Sequence, residues 1–141
     1  MLNATDKLAI LEVLAAANRT ADEKDVEGHA NYYTDGGVIE GDMQASGDAS
    51  QFRNDLKDIF DGEPGLKRHV GTSHIFEEDG DRVVVDSLLL VYEGDDAPTV
   101  VATADITDEL VRDDGSWKIA RHKVLMDPGT KKAMAQAREE A

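Results

Sequence analysis

The sequence predicts one α+β domain, in which an antiparallel sheet curls around a group of N-terminal helices. Three observations carry this. Helical periodicity dominates the chain up to Phe60, alternating segments joined by Gly- and Asp-rich turns follow Pro64-Gly65, and 141 residues of 40% apolar content supply one core. Helices followed by hairpin-linked strands, rather than strict alternation, favour a segregated α+β arrangement, and the hollow of such a sheet is a natural ligand site.

The elements follow in order. Thr5 to about Lys24 reads as the first helix, with Thr5 or Asn3 as cap, Asp6 at the positive dipole end and an inward stripe of Leu8, Leu11, Leu14 and Ala15. Asp25 caps a short second helix carrying Val26, Ala30 and Tyr33, which Thr34-Asp35-Gly36-Gly37 stops. A short strand spans Val38 to Gln44, and a third helix runs from Asp48 to Phe60 with Phe52, Leu56, Ile59 and Phe60 on one face. Four strands complete the sheet: Leu66 to Glu77, Arg82 to Tyr92, Thr99 to Arg112 and Ser116 to Met126, with Asp79-Gly80 as the first hairpin turn. The remainder, from Thr130 to Ala141, reads as a polar helix or a frayed tail, so residues 1–127 form the pocket domain and 128–141 an appendage.

Composition narrows the function classes. Thirty acidic against fifteen basic residues give a formal net charge of −15, which repels phosphate backbones and anionic membrane surfaces. The acid is dispersed along the chain and reads as a solvated surface. No stretch approaches the roughly 20 apolar residues of a membrane helix. The first residues lack a signal-peptide layout, and the absence of cysteine removes disulfide and thiolate chemistry, so a cytoplasmic location is expected. No HExxH or HxH spacing occurs, and His69 and His74, five apart on a strand, point to opposite faces, so no metal site is expected. No Gly-x-Ser-x-Gly elbow occurs either, and Gly36-Gly37 is too short for a phosphate loop.

Asp22 is the residue that asks for an explanation. Continued by helical steps, the inward stripe of the first helix reaches Asn18 and then Asp22, within a few tens of degrees of Leu11 and Ala15 on a wheel of about 100° per residue. A carboxylate on a buried face needs a partner, because desolvating an unpaired charge is costly. From the residues alone two readings stand: a helix-end carboxylate that caps the next helix or pairs with Lys24, or a pocket carboxylate.

The run Ala21-Asp22-Glu23-Lys24-Asp25, the glycine-containing helix after it, Tyr32-Tyr33, Asp35 and Ile39-Glu40-Gly41 resemble the front half of SnoaL-like proteins of the nuclear transport factor 2-like superfamily. Arg68-His69-Val70-Gly71-Thr72-Ser73-His74 is similar to that family's early strand, and Asp108 to Arg121 to its closing hairpin. The resemblance covers roughly Ala4 to Asp127. It implies a cone of curved sheet and about three helices, no cofactor, and assembly as a homodimer or homotrimer. Within the superfamily the chain most resembles the branch of scytalone dehydratase, hexachlorocyclohexane dehydrochlorinase and bile-acid dehydratase. There an aspartate ending the first helix pairs with a histidine on the early strand, which implies Asp22 and His69 here. Departures accompany the match. Ala21 stands where scytalone dehydratase has a tyrosine, and the second pocket histidine of that enzyme falls near Val101 to Thr103, none of which is histidine. The pocket arginine of the dehydrochlorinase falls closest to His122, with Arg121 adjacent.

An aspartate holding a histidine fixes the imidazole tautomer and raises its basicity, so the ring can take a proton from carbon and return it to a departing hydroxyl or another carbon. The expectation is therefore a cofactor-independent lyase or isomerase, dehydratase-like, acting on a small apolar ring compound through Asp22 and His69. Tyr32, Tyr33, Ser73, Arg121 and His122 are the candidates for holding substrate and developing negative charge. The alternative is a non-catalytic ligand-binding or accessory domain, or a subunit of a larger complex, of the same fold. For His29, His74 and His122 a structural role is the favoured reading, for Trp117 a sheet-packing one, and Arg112 is expected to pair with Asp108.

Overall fold

A computed structural model describes residues 2–140. Helix α1 (Ala4–Asp22) leads into a short α2 (Val26–Ala30), strand β1 (Tyr33–Gly41) and helix α3 (Ala49–Asp61). Strands β2 (Lys67–Asp79), β3 (Arg82–Glu93), β4 (Thr99–Asp113) and β5 (Ser116–Met126) follow, and α4 (Pro128–Glu140) ends the described chain. The five strands lie in the order β1-β5-β4-β3-β2, antiparallel except for the parallel pair β1/β5. The curved sheet and its helices form the expected α+β cone. No described helix is long and apolar enough to cross a membrane.

The helices start where short polar side chains satisfy free amides. Asn3 accepts from the Asp6 amide at 2.9 Å while the Asp6 carboxylate faces the Asn3 amide, a capping box; Asp25 and Asp48 cap α2 and α3 by accepting from the Gly28 and Gln51 amides alone. At Gly41 the chain turns out of β1 with φ +95°, and a Cβ there would lie 2.1 Å from the Val124 carbonyl oxygen, so only glycine fits against β5.

Several expectations are corrected. The buried face of α1 is Ile10, Leu14 and Ala17 rather than the stripe through Leu8 and Ala15; Ile10 is 0% exposed and Leu8 64%. Asp22 is nevertheless inward, because the end of α1 runs against β2, which covers that side of the helix. The segment Thr34–Gly37 does not stop a helix. It is the irregular first half of β1, since the Ile119 amide has already captured the Tyr32 carbonyl at 2.8 Å. The first hairpin turn is Gly80-Asp81, with Asp79 and Arg82 paired across it. Of the two readings of the C-terminal segment, the helix is the one observed, and its start is docked on β4, where the buried Thr130 hydroxyl accepts from the Thr103 amide at 2.9 Å.

Bulges give the sheet its curvature. One extra residue sits in β2 between Thr72 and Ile75, where Ser73 has φ +57°, and another in β5 at Ala120, opposite the Glu109–Leu110 step of β4. Each bulge shifts side-chain parity, so strand counting fails beyond it. His74 therefore returns to the inner face with His69, against the expectation that the two point apart.

Beneath the sheet lies a core of Ile10, Leu56, Val85, Leu110 and Ile119, with an aromatic cluster of His29, Tyr33, Phe52 and Phe60 at ring separations of 5.1–5.5 Å. The His29 ring ties α2 to α1 through Nδ1, which donates to the Ala17 carbonyl at 2.9 Å and lies 2.9 Å from the Thr20 hydroxyl. Burial, then the proximity of His122 and His69, lowers its pKa to about 4, so it is neutral at pH 7.

Ile10→Ala is expected to cost about 2–5 kcal/mol in chemical denaturation, and Leu8→Ala to stay within about 0.5 kcal/mol; equal costs would return the core to the stripe through Leu8. Because the folded-state pKa of His29 lies below the 6.5 of an ordinary histidine, the unfolded chain binds the extra proton as pH falls. The stability contributed is whole above about pH 6.5 and lost progressively towards pH 4, on the order of 3 kcal/mol. Denaturation of the wild type and His29→Gln across pH 4–7 checks this, since the variant should lose that part of the pH dependence.

Candidate active site

Asp22 is the last residue of α1 and His69 lies near the start of β2, an edge strand whose outward amides have no strand partner. One carboxylate oxygen, Asp22 Oδ1, accepts from the His69 backbone amide at 2.8 Å and from His69 Nδ1 at 2.6 Å. The side chains are 9% and 10% exposed. A carboxylate on Nδ1 fixes the proton there and leaves Nε2 as the acceptor nitrogen. Around it lies a cavity of about 280 Å³, walled by Leu14, Ala17, Leu56, Phe60 and Ile106. That is close to the lower end of the roughly 300–1,000 Å³ of small-molecule sites.

Glu63, in the loop between α3 and β2, faces the other nitrogen: its Oε2 is 3.7 Å from His69 Nε2. Burial raises its pKa, partly offset by His69, Lys24 and Lys67. The loop is held in place by Lys24, whose Nζ donates to the Gly65 carbonyl at 2.8 Å. Sequence reading missed Glu63 because a single glutamate after a helix-ending glycine carries no pattern.

A second carboxylate–histidine pair lines the same cavity. Asp108 on β4 and His122 on β5 are direct cross-strand partners, and His122 Nδ1 lies 2.6 Å from Asp108 Oδ1. Asp108 is 2% exposed. Burial alone would lower the His122 pKa, but the Asp108 charge and its hydrogen bond outweigh that and hold it above the ordinary value. This corrects the expected Asp108–Arg112 pair. Arg112 sits opposite Trp117, lies 4.6 Å over its ring and bonds the Asp6 carboxylate. The sequence signal for the second pair was present in two long inner-face strands, but its register depended on the Ala120 bulge.

Of the remaining candidates, Tyr33 lines the cavity and is buried, with its phenol pushed well above the ordinary value by burial and by Asp108. Tyr32, Ser73 and Arg121 do not line it. Tyr32 packs against the periphery of the core. Ser73 occupies the bulge and is exposed, and Arg121 lies on the outer face with Glu40 and Glu109. His29 and His74 also line the cavity, so all four histidines of the chain meet there. Among the described residues no group of three or more His, Asp or Glu side chains is arranged to hold a metal ion.

This geometry can be set beside known proteins. A structure from Catenulispora acidiphila in complex with S-DNPA is 26% identical, with a TM-score of 0.80 over 92% of this chain and 99% of that one. ActVI-ORFA from Streptomyces coelicolor is 21% identical, with a TM-score of 0.76 over 86% of this chain and 97% of that one. A putative scytalone dehydratase from Novosphingobium aromaticivorans shares the fold at 15% identity, with a TM-score of 0.72 over 87% and 85% of the two chains. No curated protein matches the sequence. The family model of the SnoaL-like domain matches residues 3–123. The chain thus belongs to the SnoaL-like domain family, built on the nuclear transport factor 2-like fold.

Proposed function

We propose that the protein is a cofactor-independent acid–base catalyst of the lyase or isomerase class, dehydratase-like, acting on a small and largely apolar ring compound. The observation that carries this reading is the 2.6 Å Asp22–His69 pair set in the wall of an apolar cavity. Asp22 holds the tautomer, and His69 Nε2 takes a proton from a carbon next to a carbonyl. The imidazolium so formed is stabilised by Asp22, and it returns the proton to a departing hydroxyl for dehydration or to a second carbon for isomerisation. Tyr33 supplies a neutral wall, since its phenol stays protonated. The SnoaL-like family and the S-DNPA complex of a 26% identical neighbour support a ligand-binding role for the cavity.

The same reading extends to assembly as a homodimer or homotrimer. Val70, Leu88 and Leu125 are exposed on the outer face of the sheet, where a second copy would cover them. Light scattering of the wild type should report a dimer or trimer, and Leu88→Asp should shift it to monomer; a monomeric wild type rules the assembly out.

Proton abstraction can be followed without the natural substrate, by NMR of hydrogen–deuterium exchange at the α-carbon of 1-tetralone, with S-DNPA binding by calorimetry as a check on the cavity. Asp22→Asn and His69→Ala are expected to slow exchange by about 100-fold or more. Exchange unchanged in both folded variants overturns the mechanism, and S-DNPA binding without any wild-type exchange favours the non-catalytic ligand-binding domain.

A further inference from the structure

Along β2 the cavity-facing residues are His69, Gly71 and, past the bulge, His74. Opposite them on α1 stand Asp22 and, one turn earlier, Asn18. The two elements keep step, since four residues of helix rise about 6 Å and two residues of strand about 7 Å. Asp22 therefore meets His69 at 2.6 Å, and Asn18 meets the next inward position, Gly71. A Cβ at Gly71 would lie 3.2 Å from Asn18 Nδ2 and 3.6 Å from His74 Nε2. The three nearest atoms are all side-chain tips, in contrast to Gly41, where the backbone of β5 excludes a side chain. Gly71 also lacks the positive φ that demands glycine. Glycine inside a strand weakens it, and with neither a dihedral nor a backbone contact requiring it here, the remaining reason is close approach of a ligand.

The polar groups around this space are unengaged. Among the described residues the Asn18 amide and the His74 ring make no hydrogen bond or ion pair, and no buried polar side-chain atom lacks a partner, so both groups open onto the cavity they line. Asparagine is a poor residue for the interior of a helix, and Asn18 gives α1 neither a cap nor an internal bond in return. Ser87 adds a third group. The inner row of β3 runs Val83, Val85, Ser87, Leu89 and Val91, and its one polar member stands across from the Ser73–His74 bulge. Ser87 also lines the cavity, at 8% exposure. Polar side chains from α1, β2 and β3 thus converge on the one inward position of β2 that carries no side chain.

We infer that Asn18, His74 and Ser87 form a ligand-binding subsite over Gly71 that hydrogen-bonds an uncharged oxygen, a hydroxyl or carbonyl on the side of the ring away from the carbon facing His69. An amide, an imidazole and a hydroxyl each offer both a donor and an acceptor, which matches an oxygen that accepts and, as a hydroxyl, also donates. The spacing sets the substrate class. The subsite lies one helical turn and two strand residues from the Asp22–His69 pair, so the ligand carries its oxygen about a ring's width from the reacting carbon. This deepens the reading of the cavity as the ligand site and rests on it, whether or not the bound ligand turns over. The subsite orients the ligand and takes no part in proton transfer.

Two ketones test this. 6-Hydroxy-1-tetralone carries a hydroxyl across the fused ring from its carbonyl and α-carbon, and 1-tetralone is the same ketone without it. Calorimetry at mildly acidic pH, where the phenol is neutral, is expected to show the wild type preferring the hydroxy ketone by about fivefold or more, the worth of one good hydrogen bond. Asn18→Leu, close in size but without the amide, is expected to remove that preference. Gly71→Ala, which places a methyl group in the space, should do the same, and Arg121→Gln, outside the cavity, should leave it intact. Circular dichroism checks folding, and Asn18→Ala replaces any variant that fails to fold. A wild type that binds 1-tetralone without preferring the hydroxy ketone overturns the subsite, as does a preference that survives in folded Asn18→Leu or Asn18→Ala. A wild type that binds neither ketone removes the subsite together with the cavity reading beneath it. Hydrogen exchange at the α-carbon reports on Asp22 and His69 and the hydroxyl preference on the subsite, so failure of one is distinguishable from failure of the other.

Discussion

The hydrogen bonds gathered on Asp22 Oδ1 connect the fold to the site. One oxygen satisfies an edge-strand amide and an imidazole nitrogen of the same residue, His69. The backbone bond fixes where the end of α1 meets β2, and the side-chain bond fixes how the ring is turned. A carboxylate so placed is stabilised by two donors, which is how a buried charge on an amphipathic helix is tolerated. The same contact closes one side of the cavity, so the position of the helix and the tautomer of the histidine are set together.

The sheet contributes through its irregularities. A regular antiparallel sheet would present alternate residues to one face along its whole length. Here the extra residue near Ser73 brings His74 inward with His69, and the extra residue at Ala120 leaves both Ile119 and His122 facing the helices. These same bulges bend the strands into the wall of the cone. Curvature and cavity chemistry therefore share an origin in local departures from strand geometry, these two among them.

Hydrogen-bond partners then distinguish three of the four histidines. His29 is packed among Tyr33 and Phe60, and its ring bonds the Ala17 carbonyl of α1 and the Thr20 hydroxyl rather than a carboxylate, so it stays neutral. His69 and His122 each carry an aspartate on Nδ1 and present the other nitrogen. A cavity walled mainly by aliphatic and aromatic side chains gives these few polar groups a low-dielectric setting, in which their charges interact more strongly than in water.

By itself, the sequence determined the order and type of the elements, because capping residues, turn residues and periodicity are local properties. Asp25 and Asp48 cap the helices assigned to them, and β5 runs from Ser116 to Met126 as read. The SnoaL-like resemblance and the pairing of Asp22 with His69 were also legible, since they rest on motifs that stand in order along the chain. The tertiary structure alone decided the buried face of α1, the inward placement of Glu63 and His74, and the exchange of Arg112 for His122 as the partner of Asp108. Each depends on something the chain does not announce locally: which face β2 covers, where an extra residue resets strand parity, and which side chain a cross-strand register places opposite an aspartate. A single inserted residue moves every later side chain to the other face of a strand. Strand positions beyond a bulge could therefore be assigned to the cavity only once the register was known.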